Sequence, residues 1–235
     1  MKILVININT SATITDKIRG VIDSIKRPET QVDVVCPEHG PITIDSSFDE
    51  AFAVPPTLEL VKAAQGSDYD AILLACFCDA GVEAAREIST IPIIAMEEAT
   101  YAVALTLGNK FGLLTEKRPR IAMKERHVRR AGLLLRLASI RALELSTADL
   151  DARPEETKRR GLELAKRMIE EDGAEVLILG CAAMAGYGDD IQDQLGVPVL
   201  DPTVVAFKYT EMIADMGVTH SRVGLYHPPL PKEFK

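Results

Sequence analysis

The chain has 235 residues, 47% of them apolar and 26% charged, with a formal net charge of −8. That balance describes a soluble globular chain with room for one large α/β domain or two small ones. The acidic charge argues against a nucleic-acid partner, which needs a basic stripe. Four cysteines in a chain this long do not make a disulfide scaffold. No run reaches the roughly 18 apolar residues of a spanning helix, and Met1-Lys2 leads straight into strand-like Ile3-Leu4-Val5-Ile6 rather than a secretory leader. The expectation is a cytoplasmic protein with reduced thiols and no membrane partner.

Apolar runs of strand length alternate with helical patterns. Lys2–Ile8 is the first strand; it runs into the polar turn Asn7-Ile8-Asn9-Thr10-Ser11 and a helix from near Ala12. Strands follow at Val32–Cys36, Ala71–Cys76 and Ile91–Met96, with a helix opening near Val82 and another pattern ending at Gly108. Lys110–Thr115 and part of Leu133–Leu145 come next. Pro154 to Glu171 is the clearest helix, with Pro and two glutamates at its start and Gly173 just past its end. Glu175–Cys181, Val197–Asp201 and Arg222–His227 are the remaining strands, and a helix after Asp201 ends at Gly217. Strands alternating with helices imply βαβ units and parallel sheets.

The sequence repeats itself. Asp70–Cys76 matches Glu175–Cys181, Ile91-Pro92-Ile93-Ile94 matches Val197-Pro198-Val199-Leu200, the helix ending at Gly108 matches the one ending at Gly217, and Lys2–Ile6 resembles Lys110–Leu114. Matched points lie 105 to 109 residues apart. The predicted architecture is α/β: two similar Rossmann-like lobes with parallel sheets, related by a pseudo-two-fold, with a cleft between them. The first lobe is assigned residues 1–97 plus the C-terminal helix (about 202–217), and the second residues 98–201. The exchange of that helix follows from its counterpart after Met96 leading into the second lobe.

Cys76 and Cys181 each end a buried strand at its carboxyl end, where open α/β sheets bind ligands. Two thiols facing each other across a cleft suit inversion at a carbon beside a carbonyl. One thiolate takes the proton, an enolate-like intermediate forms, and the opposite thiol returns a proton. No cofactor or metal is needed. A helix start after each cysteine is expected to favour thiolate, and backbone donors in the turns Phe77-Cys78 and Ala182-Ala183 would hold the developing oxyanion. Cys76-Phe77-Cys78 lacks a second Cys/His pair at metal-binding spacing, so Cys78 is read as lining the turn. Asn9, Thr10 and Ser11, and Thr115 in the matched turn, serve either to cap helices or to bind a carbonyl or anionic oxygen. No Gly-x-Gly-x-x-Gly, Walker loop or Gly-x-Ser-x-Gly elbow is present.

These residues resemble the aspartate/glutamate/hydantoin racemase superfamily over nearly the whole chain. The resemblance is carried by Asn7 to Ser11, Gly40-Pro41, Ala75-Cys76-Phe77-Cys78-Asp79-Ala80-Gly81, Ala84-Ala85-Arg86-Glu87, Gly180-Cys181-Ala182-Ala183-Met184 and Gly196-Val197-Pro198-Val199. It implies that Cys76 and Cys181 are the acid/base pair. Amino-acid racemases of this fold usually place Asn-Thr after the first cysteine and Thr after the second. Phe77-Cys78 and Ala182-Ala183 stand here instead, which favours the hydantoin (allantoin) racemase branch and a less charged substrate. Ile8, Cys78, Ala80 and Ala183 depart from the usual proline, glycine, proline and glycine. The expected activity is therefore cofactor-independent inversion of the C5 centre of a hydantoin-like cyclic ureide by a self-associating enzyme. The alternatives are aspartate/glutamate racemisation or maleate isomerisation on the same fold, or a two-lobed small-molecule sensor without catalysis.

Overall fold

The computed structural model describes residues 1–181, 184 and 187–230. In chain order the elements are β1 (Lys2–Ile6), α1 (Ala12–Ile25), β2 (Gln31–Val35), α2 (Ser47–Ala63), β3 (Ala71–Leu74), α3 (Val82–Ile88), β4 (Ile93–Ala95) and α4 (Met96–Leu107). The second half continues with β5 (Phe111–Thr115), α5 (Arg118–Arg130), β6 (Leu137–Ala142), α6 (Thr147–Ala152), α7 (Pro154–Glu170), β7 (Val176–Leu179), α8 (Gly188–Leu195), β8 (Val199–Leu200) and α9 (Pro202–Met216).

The two halves build the same sheet. The strand orders are β2-β1-β3-β4 and β6-β5-β7-β8, every pair parallel. β3 and β7 occupy matching inner positions and are buried along their whole length, as expected of parallel strands covered on both faces. The repeat extends to single hydrogen bonds. Ile72 N–H donates to Pro92 O and Leu177 N–H to Pro198 O, both at 2.9 Å. Ala75 N–H donates to Ile6 O at 2.8 Å and Gly180 N–H to Leu114 O at 2.7 Å. The residues just before Cys76 and Cys181 are thus pinned in the same way to the neighbouring central strand.

The two sheets meet through α4 and α9. α4 leaves the first sheet yet packs on β7, and α9 leaves the second sheet yet packs on α1, β3 and β4. α4 and α9 also pack against each other. One buried cluster, with Val5, Leu73, Met96, Tyr101, Phe111, Ile178 and Phe207, therefore runs through both halves. Separate clusters cover the outer faces, one under α7 and α8 and one under α2 and α3. Glu211 fastens α9 to the first half. Its buried carboxylate accepts from Thr30 Oγ1 at 2.8 Å, Arg27 N at 3.2 Å and Lys208 Nζ at 2.8 Å.

One expected strand is absent. Arg222–His227 forms bends and turns, with no sheet partner among the described residues. Its alternating pattern puts Val223 and Leu225 in solvent, and its polar groups grip α3 instead. Arg222 donates to the Arg86 and Ser89 carbonyls, and Arg86 Nη1 donates to the Tyr226 hydroxyl at 3.0 Å.

Candidate active site

Both sheets present their carboxyl ends to one small cavity. Asn7, Asn9, Ile14, Thr43, Ile44, Ala75, Cys76 and Phe77 line it from the first half, and Glu116, Arg120, Gly180 and Cys181 from the second. The two cysteines singled out by the repeat are thus brought to the same cavity. Both are half-buried.

The first-strand turn is locked by its own side chains. Asn7 Nδ2 donates to Asn9 Oδ1 at 2.9 Å and to Thr15 Oγ1 at 3.0 Å, and Ser11 N–H donates to Asn9 Oδ1 at 2.9 Å. Asn9 therefore both lines the cavity and orders the turn. Ser11 is the N-cap of α1, accepting from Ile14 N–H at 3.3 Å, the capping role such a residue commonly plays. Thr10 faces the Pro41 carbonyl, and its N–H donates to the same oxygen at 3.0 Å. Neither Thr10 nor Ser11 reaches the cavity wall. Thr115 is fully buried and donates to Glu116 Oε2 at 2.6 Å, so its neighbour Glu116, rather than Thr115 itself, faces the cavity. Ala182 and Ala183 lie outside the described residues.

Phe77 is buried against Tyr101, edge to face at 5.8 Å, and Tyr101 in turn stacks on Phe111 of β5 at 5.2 Å. Cys78 lies behind the cavity, its Sγ in a thiol–thiol hydrogen bond with Cys76 Sγ at 3.4 Å. That hydrogen bond first, then burial and the charge of Cys78, push the Cys76 thiol well above its ordinary range; Lys124 works the other way and Cys181 adds to the rise. The expected helix-start field does not win here. α3 begins six residues after Cys76, and a helix dipole acts mainly within its terminal turn.

A polar cluster that the sequence did not single out supports the Cys76 turn. Asp79, at a left-handed φ of 49°, accepts the N–H groups of Glu97 and Glu98 at 2.8 Å each, joining the turn to the start of α4. Glu97 is buried and accepts from the Tyr101 hydroxyl at 2.7 Å, with His127 Nδ1 at 3.0 Å. Burial acts against its charge, yet Lys124, His127 and Tyr101 hold its carboxyl below the usual range. Arg120, on the cavity wall, faces Glu50 at 3.9 Å, and among the described residues the buried Arg120 Nε and Glu50 Oε1 have no hydrogen-bond partner.

Residues 3–210 match the model of the Asp/Glu/Hydantoin racemase family. The chain belongs to that family. Among racemases of the family, the chain is 36% identical to a hydantoin racemase of Pseudomonas sp. (strain NS671), over all of this chain and 94% of that one. It is 33% identical to the hydantoin racemase of Paenarthrobacter aurescens, over the full length of both. The allantoin racemase of Klebsiella pneumoniae superposes with a TM-score of 0.95 at 29% identity, covering all of this chain and 96% of that one. A glutamate racemase of Francisella tularensis, at 18% identity and a TM-score of 0.65, shares the fold. The family assignment makes the protein an isomerase of the racemase type. No helix of the described residues is long and apolar enough to cross a membrane.

Proposed function

We propose that this racemase inverts the C5 centre of a hydantoin-like cyclic ureide, with Cys76 and Cys181 as the two acid/base residues. The observation that carries the reading is that both thiols, delivered by matching strands of the two halves, line one cavity. One sulfur, as thiolate, takes the C5 hydrogen as a proton. The electron pair of the broken C–H bond moves into the adjacent carbonyl, giving a planar enolate. The other Sγ–H then delivers its proton to the opposite face and is left as thiolate, so each turnover exchanges the roles. Cys78 and burial keep Cys76 mostly protonated, which suits it to the acid role in one direction and limits its thiolate fraction in the other. Asn7, Asn9 and Thr43 offer neutral polar groups to the ring, which suits the uncharged rings for which the hydantoin and allantoin racemases among the relatives are named. The reaction so written uses no cofactor or metal. The reading also keeps two lobes, 1–97 with 202–217 and 98–201, a self-associated form and a cytoplasmic setting.

The test is a chiral assay on single enantiomers of 5-isobutylhydantoin, 5-benzylhydantoin, allantoin, aspartate and glutamate, followed by circular dichroism. Loss of signal is expected with the ureides and not with the amino acids. Because two enantiomers are equal in free energy, kcat/KM must be the same from either side. Cys76→Ala and Cys181→Ala are each expected to lower it by about 10²–10⁴-fold, the contribution of one positioned proton-transfer group. In deuterium oxide, each variant should retain solvent exchange from one enantiomer only. Normal racemisation by both alanine variants would rule the mechanism out.

A further inference from the structure

α5 is the most basic helix of the chain, Arg118-Pro119-Arg120-Ile121-Ala122-Met123-Lys124-Glu125-Arg126-His127-Val128-Arg129-Arg130, and its composition suits a solvated face. Lys124 is nevertheless fully buried. Its Nζ donates to the carbonyl of Phe77, the residue after Cys76, and lies 4.5 Å from the centre of the Phe77 ring. Placing an ammonium in the interior is costly unless negative charge answers it. Glu97 on α4 supplies part of that charge, and it also serves His127 and Tyr101. The Lys124 charge also reaches the Cys76 sulfur. Cys76 is faced by Cys78 in its own turn, Cys181 across the cavity, Lys124 from α5, and Glu116 and Arg120 on the cavity wall. Asp79 and Glu97 lie behind the turn.

We propose that Lys124 is a positioning residue: from the second half it pins the Cys76 turn of the first and supplies the positive charge beside which negative charge forms on the Cys76 sulfur. Lys124 is not on the cavity wall, so it acts through Phe77 and Cys76 and not on the substrate. It works against the influences that keep Cys76 protonated, namely Cys78, burial and Cys181. It also makes the state of that sulfur depend on the two halves being together, because the ammonium and the thiol belong to opposite sides of the cleft. The inference rests on the reading of Cys76 as an acid/base residue.

The experiment measures the pH dependence of Cys76 alkylation by iodoacetamide. Tandem mass spectrometry of the peptide separates Cys76 from Cys78, and the proteins compared are wild type, Lys124→Met, Lys124→Arg and Glu97→Gln. Loss of a charge at close range moves a midpoint by about 1–3 pH units. Lys124→Met is expected to raise the Cys76 midpoint by that amount and Lys124→Arg to restore most of it. kcat/KM for both enantiomers should fall by about tenfold per unit near neutral pH and recover as pH rises. Glu97→Gln frees the Lys124 charge from its carboxylate and should lower the midpoint, which keeps the test open if Lys124→Met does not fold. An unmoved midpoint in folded Lys124→Met, a loss of rate equal at every pH, or a midpoint raised or unmoved in Glu97→Gln would overturn the proposal. Alkylation is read without turnover. Wild type that racemises no ureide would thus defeat the proposed function, while the midpoints would still decide the role of Lys124.

Discussion

Gly180, one residue before Cys181, offers a direct way to move one sulfur without deleting it. A Cβ built there would come closer than 3.0 Å to the Leu114 carbonyl oxygen and to 3.1 Å from Leu113 Cδ2. The oxygen has little freedom to retreat, because it accepts the Gly180 N–H at 2.7 Å. To regain an ordinary contact of about 3.5 Å, the end of β7 must shift by roughly 0.5 Å or more. Overpacking of this kind costs about 1–3 kcal/mol, or a fall in Tm of about 2–12 °C for a chain of this size. The same shift carries Cys181. Since a misplacement of about 1 Å can cost roughly 10²-fold in rate, Gly180→Ala is expected to lower kcat/KM by about 10- to 100-fold. Ala75 holds the matching position before Cys76 and already accommodates a methyl group while donating to Ile6 O. Ala75→Gly therefore serves as the control, with a loss of no more than about 1 kcal/mol. Thermal melts and the chiral assay read both effects. Wild-type Tm and kcat/KM in Gly180→Ala would refute the argument that close approach to Leu114 sets the position of Cys181.

Two stability measurements follow from one half-buried and one buried carboxyl. Burial first, then the charge of Glu97, push Asp79 up to about 8, against the pull of the Glu97 and Glu98 N–H groups. Between the unfolded value of about 3.9 and about 8 the folded chain binds the extra proton, so stability declines as pH rises through that window. Asp79→Asn should flatten that decline in melts between pH 5 and pH 8, and an unchanged slope would assign it to other groups. Burial also opposes the charge of Glu211, but Lys208, Thr30 and the Arg27 N–H together hold its carboxyl below the usual range. Its stabilising contribution is complete above the unfolded value of about 4.3 and is lost as pH falls through the lower folded value. Glu211→Gln is expected to cost about 1–3 kcal/mol in urea denaturation at pH 7 and much less at pH 3; equal costs at both would contradict the assignment.

The frame of the molecule was legible because it is periodic. Buried parallel strands read as apolar runs, and the run-Cys-turn unit and the Xaa-Pro strand starts recur at a near-constant offset. Those features became β3 with β7 and β4 with β8. Arg222–His227 misled because alternation alone does not make a strand; it needs an open sheet edge that buries one face, and this segment meets the side of α3. The cysteines were visible for the same reason as the strands. Their surroundings were not. Lys124 stands in a run of arginines and Glu97 beside Glu98, and only packing decides which member of each set is interior. Glu116 and Arg120 carried a faint signal, since Glu116 follows the threonine that matches the first-strand turn. Nothing in the spacing showed that Glu116 would face the cavity while Thr115 turned inward.

The duplication accounts for two thiols, but not for two equivalent thiols. Cys76 is flanked by Cys78 and by the Lys124 ammonium, whereas Ala182-Ala183-Met184 follow Cys181 and supply neither a thiol nor a charge. A racemase tolerates that asymmetry because equal free energies of the enantiomers fix only the ratio of the two kcat/KM values. kcat and KM are each free to differ. The enantiomer whose hydrogen points at the more readily ionised sulfur is turned over with the larger kcat and, in the same proportion, the larger KM. On the mechanism proposed here, a change to the Cys76 surroundings alone alters kcat/KM by the same factor for both enantiomers and leaves their ratio at unity. The chemical difference between the halves is therefore read in kcat, in KM and in one-sided isotope exchange, and not in the direction of the reaction.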